Sequence, residues 1–211
     1  MQIEITDQVK SEAGKYANKF VNAEKSLKNF GNSSAIRSKQ RQYNDAYAGR
    51  IGELMFSKML EKYDYKLSFD EEIRVGNNVG DGGKDITGFE TDGLRFLLNK
   101  KIDIKSTNGN WLLVESHRFT ADVYVLLRVT VKGVHYRGYA LREDFFDQSL
   151  MAKYTYKSGD KLRNPFDTSK FLDVRLDAPL QFGLPSSELR IGGFVDYLKN
   201  NSTRLKNGRL Q

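Results

Sequence analysis

Residues 99–111, NKKIDIKSTNGNW, constrain the fold more than any other stretch of the chain. Ile102 and Ile104 alternate with charged residues, which is the two-residue period of a strand with one buried face. The same period puts Asp103 and Lys105 side by side on the other face. Two opposite charges so placed are either a solvated ion pair, worth ~0–1 kcal/mol, or the start of a site.

The chain of 211 residues is long enough for a real core and is expected to form one domain, 1–211. Within it a core of about 44–150 carries two appended pieces, a helix over 6–29 and a C-terminal segment over 153–211. No apolar run nears the ~20 residues of a membrane span, and the N-terminus lacks the apolar centre of a signal peptide. A cytoplasmic protein with no membrane partner is therefore expected. The absence of cysteine removes disulfide, zinc-thiolate and cysteine-nucleophile chemistry. With only His117 and His135, a multi-histidine metal cage is excluded and a Ser-His-Asp triad has two candidates for its base. Carboxylates and lysines are left to carry any chemistry. The net charge of +7 favours a polyanionic partner.

Along the chain, helical spacing runs over 6–29 and closes at GNSS (31–34). A second helix is expected over 44–63, apolar on two stripes and so buried on more than one side. YKLSF and EIRV read as strand, and GNNVGDGGKD (76–85) as a glycine-rich turn. Short strands follow in DITGFE, LRFLL, KIDIKST, WLLVES, ADVYVLLRVTV and VHYRGYAL. Asn108-Gly109 signals a hairpin joining KIDIKS to WLLVES. REDFFDQSLM reads as a helix, the region from about 153 as looser chain, GGFVDYLKN as a short helix, and RLKNGRLQ as a basic tail. The order gives an α/β or α+β protein with helices against a central sheet.

Three carboxylates are out of place. Asp103 stands on a strand face, and Asp85 stands where the glycine-rich turn meets the DITGF strand, a position also explained by turn capping. Glu53 lies mid-helix among small residues, after Gly52 and four beyond Gly49, and a buried glutamate needs a partner. The three make sense together with Lys105 if they share a hard cation. Mg²⁺ takes carboxylate oxygens and usually only one or two protein carboxylates. Asp85 and Asp103 would be its ligands, with the Ile104 carbonyl as a third oxygen. Glu53 would complete the shell or hold a second metal, and Lys105 would steady charge developing on phosphorus.

Glu53 in GRIGE, Asp85 in GGKDI and Asp103-Ile104-Lys105 in IDIKS resemble the PD-(D/E)xK, or restriction-endonuclease-like, nuclease superfamily. The resemblance covers roughly 45–140 and departs at Lys84, where the family has proline. It implies a mixed central β-sheet flanked by helices and DNA hydrolysis with Mg²⁺, for which Mn²⁺ can substitute. Asp85 and Asp103 become metal ligands, Lys105 the catalytic lysine and Glu53 the accessory acid. It implies restriction-type cleavage of duplex DNA by a homodimer, since two strands take two sites. Two readings stand beside it: a structure-specific or repair nuclease acting on branched DNA, such as a Holliday junction resolvase, and a non-catalytic DNA-binding protein.

Lys84, Lys100 and Lys101 would crowd positive charge around the site, and Ser106 and Asn108 could reach phosphate or a groove. Solvation and turn chemistry explain the same residues without nucleic acid. The first helix and the tail, with Arg204 and Lys206, are the candidates for DNA backbone contacts, which salt should weaken.

Overall fold

The computed structural model describes residues 2–22, 38–70, 84–176, 180–206 and 209–210, the side chains of 174, 206, 209 and 210 excepted. Residues 23–29, GNSS, EIRV and the glycine-rich turn up to Gly83 lie outside the described residues.

A two-residue strand β1 (Gln2–Ile3) leads into α1 (Asp7–Asn22). The second helix, α2 (Lys39–Glu61), starts five residues before the expected Asn44 because the Ser38 hydroxyl caps it, accepting from the Arg41 amide at 3.2 Å. Then follow β2 (Lys66–Phe69), β3 (Ile86–Thr91), β4 (Leu94–Leu98), β5 (Ile102–Thr107), β6 (Trp111–Glu115), β7 (Val123–Thr130) and β8 (Gly133–Leu141). The last third holds β9 (Thr155–Tyr156), β10 (Lys161–Asn164), β11 (Asp167–Arg175), β12 (Gln181–Pro185), α3 (Phe194–Asn200), β13 (Ser202–Lys206) and β14 (Arg209–Leu210).

The described strands form four sheets, in the orders β1-β8-β7-β5, β14-β13-β4-β3-β2, β6-β12-β9 and β10-β11. The first is mixed: β7 runs parallel to β5 and antiparallel to β8. On one of its faces Ile102 and Ile104 of β5 join Val123, Val125 and Leu127 of β7. This face buries Ile51, Met55 and Phe56 of α2 and Phe194 and Leu198 of α3. The opposite face presents Tyr124 and Leu126, covered by Leu112 and Val114 of β6, Leu184 of β12, and Phe145. Helices thus cover one face and a small sheet the other, which makes the protein α+β rather than a sheet with helices on both sides.

Four sequence expectations are corrected. First, Asn108-Gly109 does not close a hairpin, for β5 pairs with β7 while β6 pairs with β12 in another sheet. A two-residue hairpin turn of that type needs positive φ at both central residues, and neither Asn108 nor Gly109 adopts it. Asp92-Gly93, at φ 51° and 70°, does, and it joins β3 to β4. Second, REDFFDQSLM forms only a 3₁₀ turn over Arg142–Phe145. There the Asp144 carboxylate accepts from the Leu141 amide at 2.8 Å, and Phe146 leaves to bridge Ala152. Third, the chain after 153 is built of strands. Fourth, the basic tail supplies β13, which pairs with the edge of β4.

Candidate functional site

Asp85 is the hinge between the two largest sheets. Its backbone N–H donates to the Ile102 carbonyl at 2.9 Å, and its own carbonyl accepts from Asp70 at the end of β2, also at 2.9 Å. Its side chain then turns onto β5, where Oδ2 accepts the Ile104 amide at 2.6 Å. Ile102 and Ile104 lie on the edge of β5 away from β7, so the aspartate takes the place of a further paired strand. A charge-assisted bond this short is strong. It also sets the Asp85 carboxylate against the peptide link that joins Asp103 to Ile104.

Asp103 is 5% exposed, and its Oδ2 lies 2.6 Å from Lys105 Nζ, itself one-third exposed. The pair shares the sheet face with Tyr124, directly opposite Asp103, and Leu126, opposite Lys105. Burial, with a smaller push from the Asp103 charge, holds the Tyr124 phenol well above its ordinary range. That is the signature of a weakly polar pocket, where fixed charges act strongly. The structure therefore brings Asp85, the Ile104 peptide, Asp103 and Lys105 to one short segment of β5.

Glu53 stands on α2, which packs against the other face of β5. Gly52 of α2 lies so close to β5 that a Cβ there would overlap Ser106 Oγ and stand 3.2 Å from Ser106 Cβ and 3.4 Å from Leu127 Cδ1. Glu53 follows on the helix, but α2 packs on the Ile102 and Ile104 face, opposite Asp103 and Lys105. Arg50 Nη1 donates to Glu53 at 3.0 Å and Arg50 Nη2 to Glu12 at 3.2 Å, with the guanidinium near the rings of Tyr16 and Phe69. Among the described residues no three of His, Asp and Glu come together as a metal cage. The expected close approach of the helix is present, but it is made by Gly52 alone; Gly49 has open space around it.

Ser106, expected at phosphate, has its hydroxyl buried against α2 and serves the helix contact. Asn108 is exposed, and its carbonyl accepts from Arg128 Nε at 3.1 Å. Lys84 is half-buried beside Asp85. Lys100 and Lys101 are exposed at the opposite end of β5, tied to Asp122 through a 3.9 Å ion pair and a 2.9 Å backbone bond. Arg204 is exposed on β13 across from Phe96, and the Lys206 side chain lies outside the described residues. His117 sits 3.4 Å from Glu115. Sequence reasoning missed Arg128 and Arg137, whose only signal was alternation on β7 and β8.

The donors near Asp103 fit a hard divalent cation in type, being carboxylate and carbonyl oxygens, and in number, since Mg²⁺ usually takes one or two protein carboxylates. Fold and site together define an α+β protein with a two-carboxylate, one-lysine centre on a mixed sheet. Compared with protein-family models, curated proteins and solved structures, the chain matches none.

Proposed function

We propose that this protein is a Mg²⁺-dependent endodeoxyribonuclease of restriction-endonuclease-like fold that hydrolyses phosphodiester bonds of duplex DNA. The observation that carries the reading is the Asp85 carboxylate held on the Ile104 amide, between Asp103 and Lys105. Turn capping by itself requires only local backbone amides. Asp85 instead reaches across to a strand 19 residues away, where Lys105 and the buried Asp103 share a face.

Asp85, Asp103 and the Ile104 carbonyl would hold the ion, which when bound supplies Lewis-acid activation of water and of the scissile phosphate. Lys105 keeps its proton at Nζ and donates to a phosphate oxygen, where negative charge grows in the transition state. The apolar wall of Tyr124 and Leu126 excludes water from one side of these charges and strengthens them. Gly52 seats α2 against β5 and so stiffens the strand. Glu53 supports from the far face, through Arg50.

Supercoiled plasmid incubated in Mg²⁺ or EDTA, beside Asp85→Ala, tests the proposal. Cutting in Mg²⁺ that the variant loses is the expected result; discrete fragments support restriction-type cleavage, and preference for a branched substrate supports the repair alternative. No cutting of linear, supercoiled or branched DNA in Mg²⁺ or Mn²⁺ overturns it.

A further inference from the structure

The sheet face that carries Asp103 and Lys105 continues onto β7 and β8. Thr107 of β5 lies opposite Arg128, and Arg128 opposite His135. Lys105 is two residues back from Thr107, which puts it about 8 Å from Arg128 between Cα atoms, from the rise along a strand and the spacing between strands. Beyond His135 the register slips. Leu126 faces Gly138 while Leu127 faces Tyr136, so Arg137 is the extra residue of a β-bulge. Bulges re-aim side chains and recur beside active sites. This one is fixed by Gly138, at φ 125°, where a Cβ would come 2.8 Å from the Arg190 carbonyl.

Arg128, His135 and Arg137 are half-buried, and among the described residues no carboxylate pairs with any of them. Arg128 uses Nε on the Asn108 carbonyl, whereas Arg137 Nε is buried with no acceptor. An unsatisfied buried donor of this kind is costly unless a ligand supplies the acceptor. Burial, then the charges of Arg137 and Arg128, push the His135 imidazole below its ordinary range. A tetrahedral oxyanion would relieve both strains, since guanidinium groups match phosphate oxygens in charge and geometry.

We propose that Arg128, His135 and Arg137 form a phosphate-binding site centred on the sheet face of Asp103 and Lys105, with Arg137 supplied by the bulge beside it, holding a backbone phosphate near the one that is cut. The anion chemistry stands on these three side chains; the assignment to DNA rests on the nuclease reading. Each strand of duplex DNA carries one phosphate per about 3.4 Å of axis, so a separation of about 8 Å spans two or three phosphates.

The imidazole resonances of His135 read the site directly, with His117 as internal control. The protein is titrated with inorganic phosphate and, separately, with a short DNA duplex, both in EDTA so that nothing is cut. Phosphate is expected to move the His135 signals and raise its pKa while leaving His117 unchanged, and the duplex to do the same. Arg137→Gln is expected to weaken duplex binding about tenfold. Silence of His135 toward phosphate in the unmodified protein overturns the site, with no variant needed. A response to phosphate but none to duplex overturns the assignment to DNA. The nuclease reading is tested apart from this, by the plasmid assay with Asp85→Ala.

Discussion

Lys105 separates structure from chemistry most cleanly. Its ion pair with Asp103 is one-third exposed on the lysine side, and a glutamine amide at 105 can still donate to the buried carboxylate, so Lys105→Gln is expected to cost about 1–2 kcal/mol. On the nuclease proposal, its charge on the phosphate has no substitute. Lys105→Gln is expected to melt within a few degrees of the parent while cutting DNA at least ~100-fold more slowly; an active variant, or one that fails to fold, would contradict that division. Asp144 offers a purely structural contrast. Burial opposes its ionisation, but bonds from Arg190 and the Leu141 amide outweigh this and hold its pKa below the ordinary range. The folded-state value lies below the unfolded ~3.9, so the stabilisation is complete above about pH 4 and is lost as pH falls through the folded value. Arg190→Gln is therefore expected to lose about 1 kcal/mol at neutral pH. Urea melts should show the gap closing as pH falls below about 4, and a gap independent of pH would disprove the assignment.

At the scale of elements, the contact of α2 with β5 turns on one pair of residues. Gly52→Ala places a methyl group in Ser106 Oγ, an overpacking expected to cost about 1–3 kcal/mol. Removing the hydroxyl in Gly52→Ala/Ser106→Ala leaves a 3.2 Å carbon contact and should restore much of the loss. Additive losses in chemical denaturation would show that the two residues do not meet. The sequence pattern located this helix and nearly every central strand, because the periods of 2 and 3.6 are local properties. Pairing partners are not local. Asn108-Gly109 has hairpin chemistry, yet Leu112 and Val114 are buried in the second core, on a strand that pairs with β12 and not with β5. The Asp92-Gly93 turn had the same chemistry and does close a hairpin. β13 was invisible as a strand because its residues, STRLK, are mostly polar and carry no apolar alternation.

Across the whole molecule, the positive charge is useful only where it is left unneutralised. Many basic residues are not: Arg50 is shared by Glu12 and Glu53, Arg190 is held by Asp144, and Lys161 and Lys170 face Asp173 and Asp167. The site carboxylates could be read in IDIKS and GGKDI, where each residue is odd for its element. The cations beside them could not, since Arg128 and Arg137 come together only through the pairing of β7 with β5 and the bulge in β8. If this site holds one phosphate and Lys105 a second, each contributes a slope of about −0.9 through released counterions. Duplex affinity in EDTA should then fall about tenfold for a fourfold rise in salt. Arg137→Gln should flatten the slope by about one unit, because a cation lost from the interface no longer displaces an ion. Lys161→Gln on the β10–β11 ribbon should leave the slope unchanged. A flat response, or equal loss of slope from both substitutions, would mean that the charge acts diffusely over the surface and that the face beside Lys105 holds no phosphate of its own.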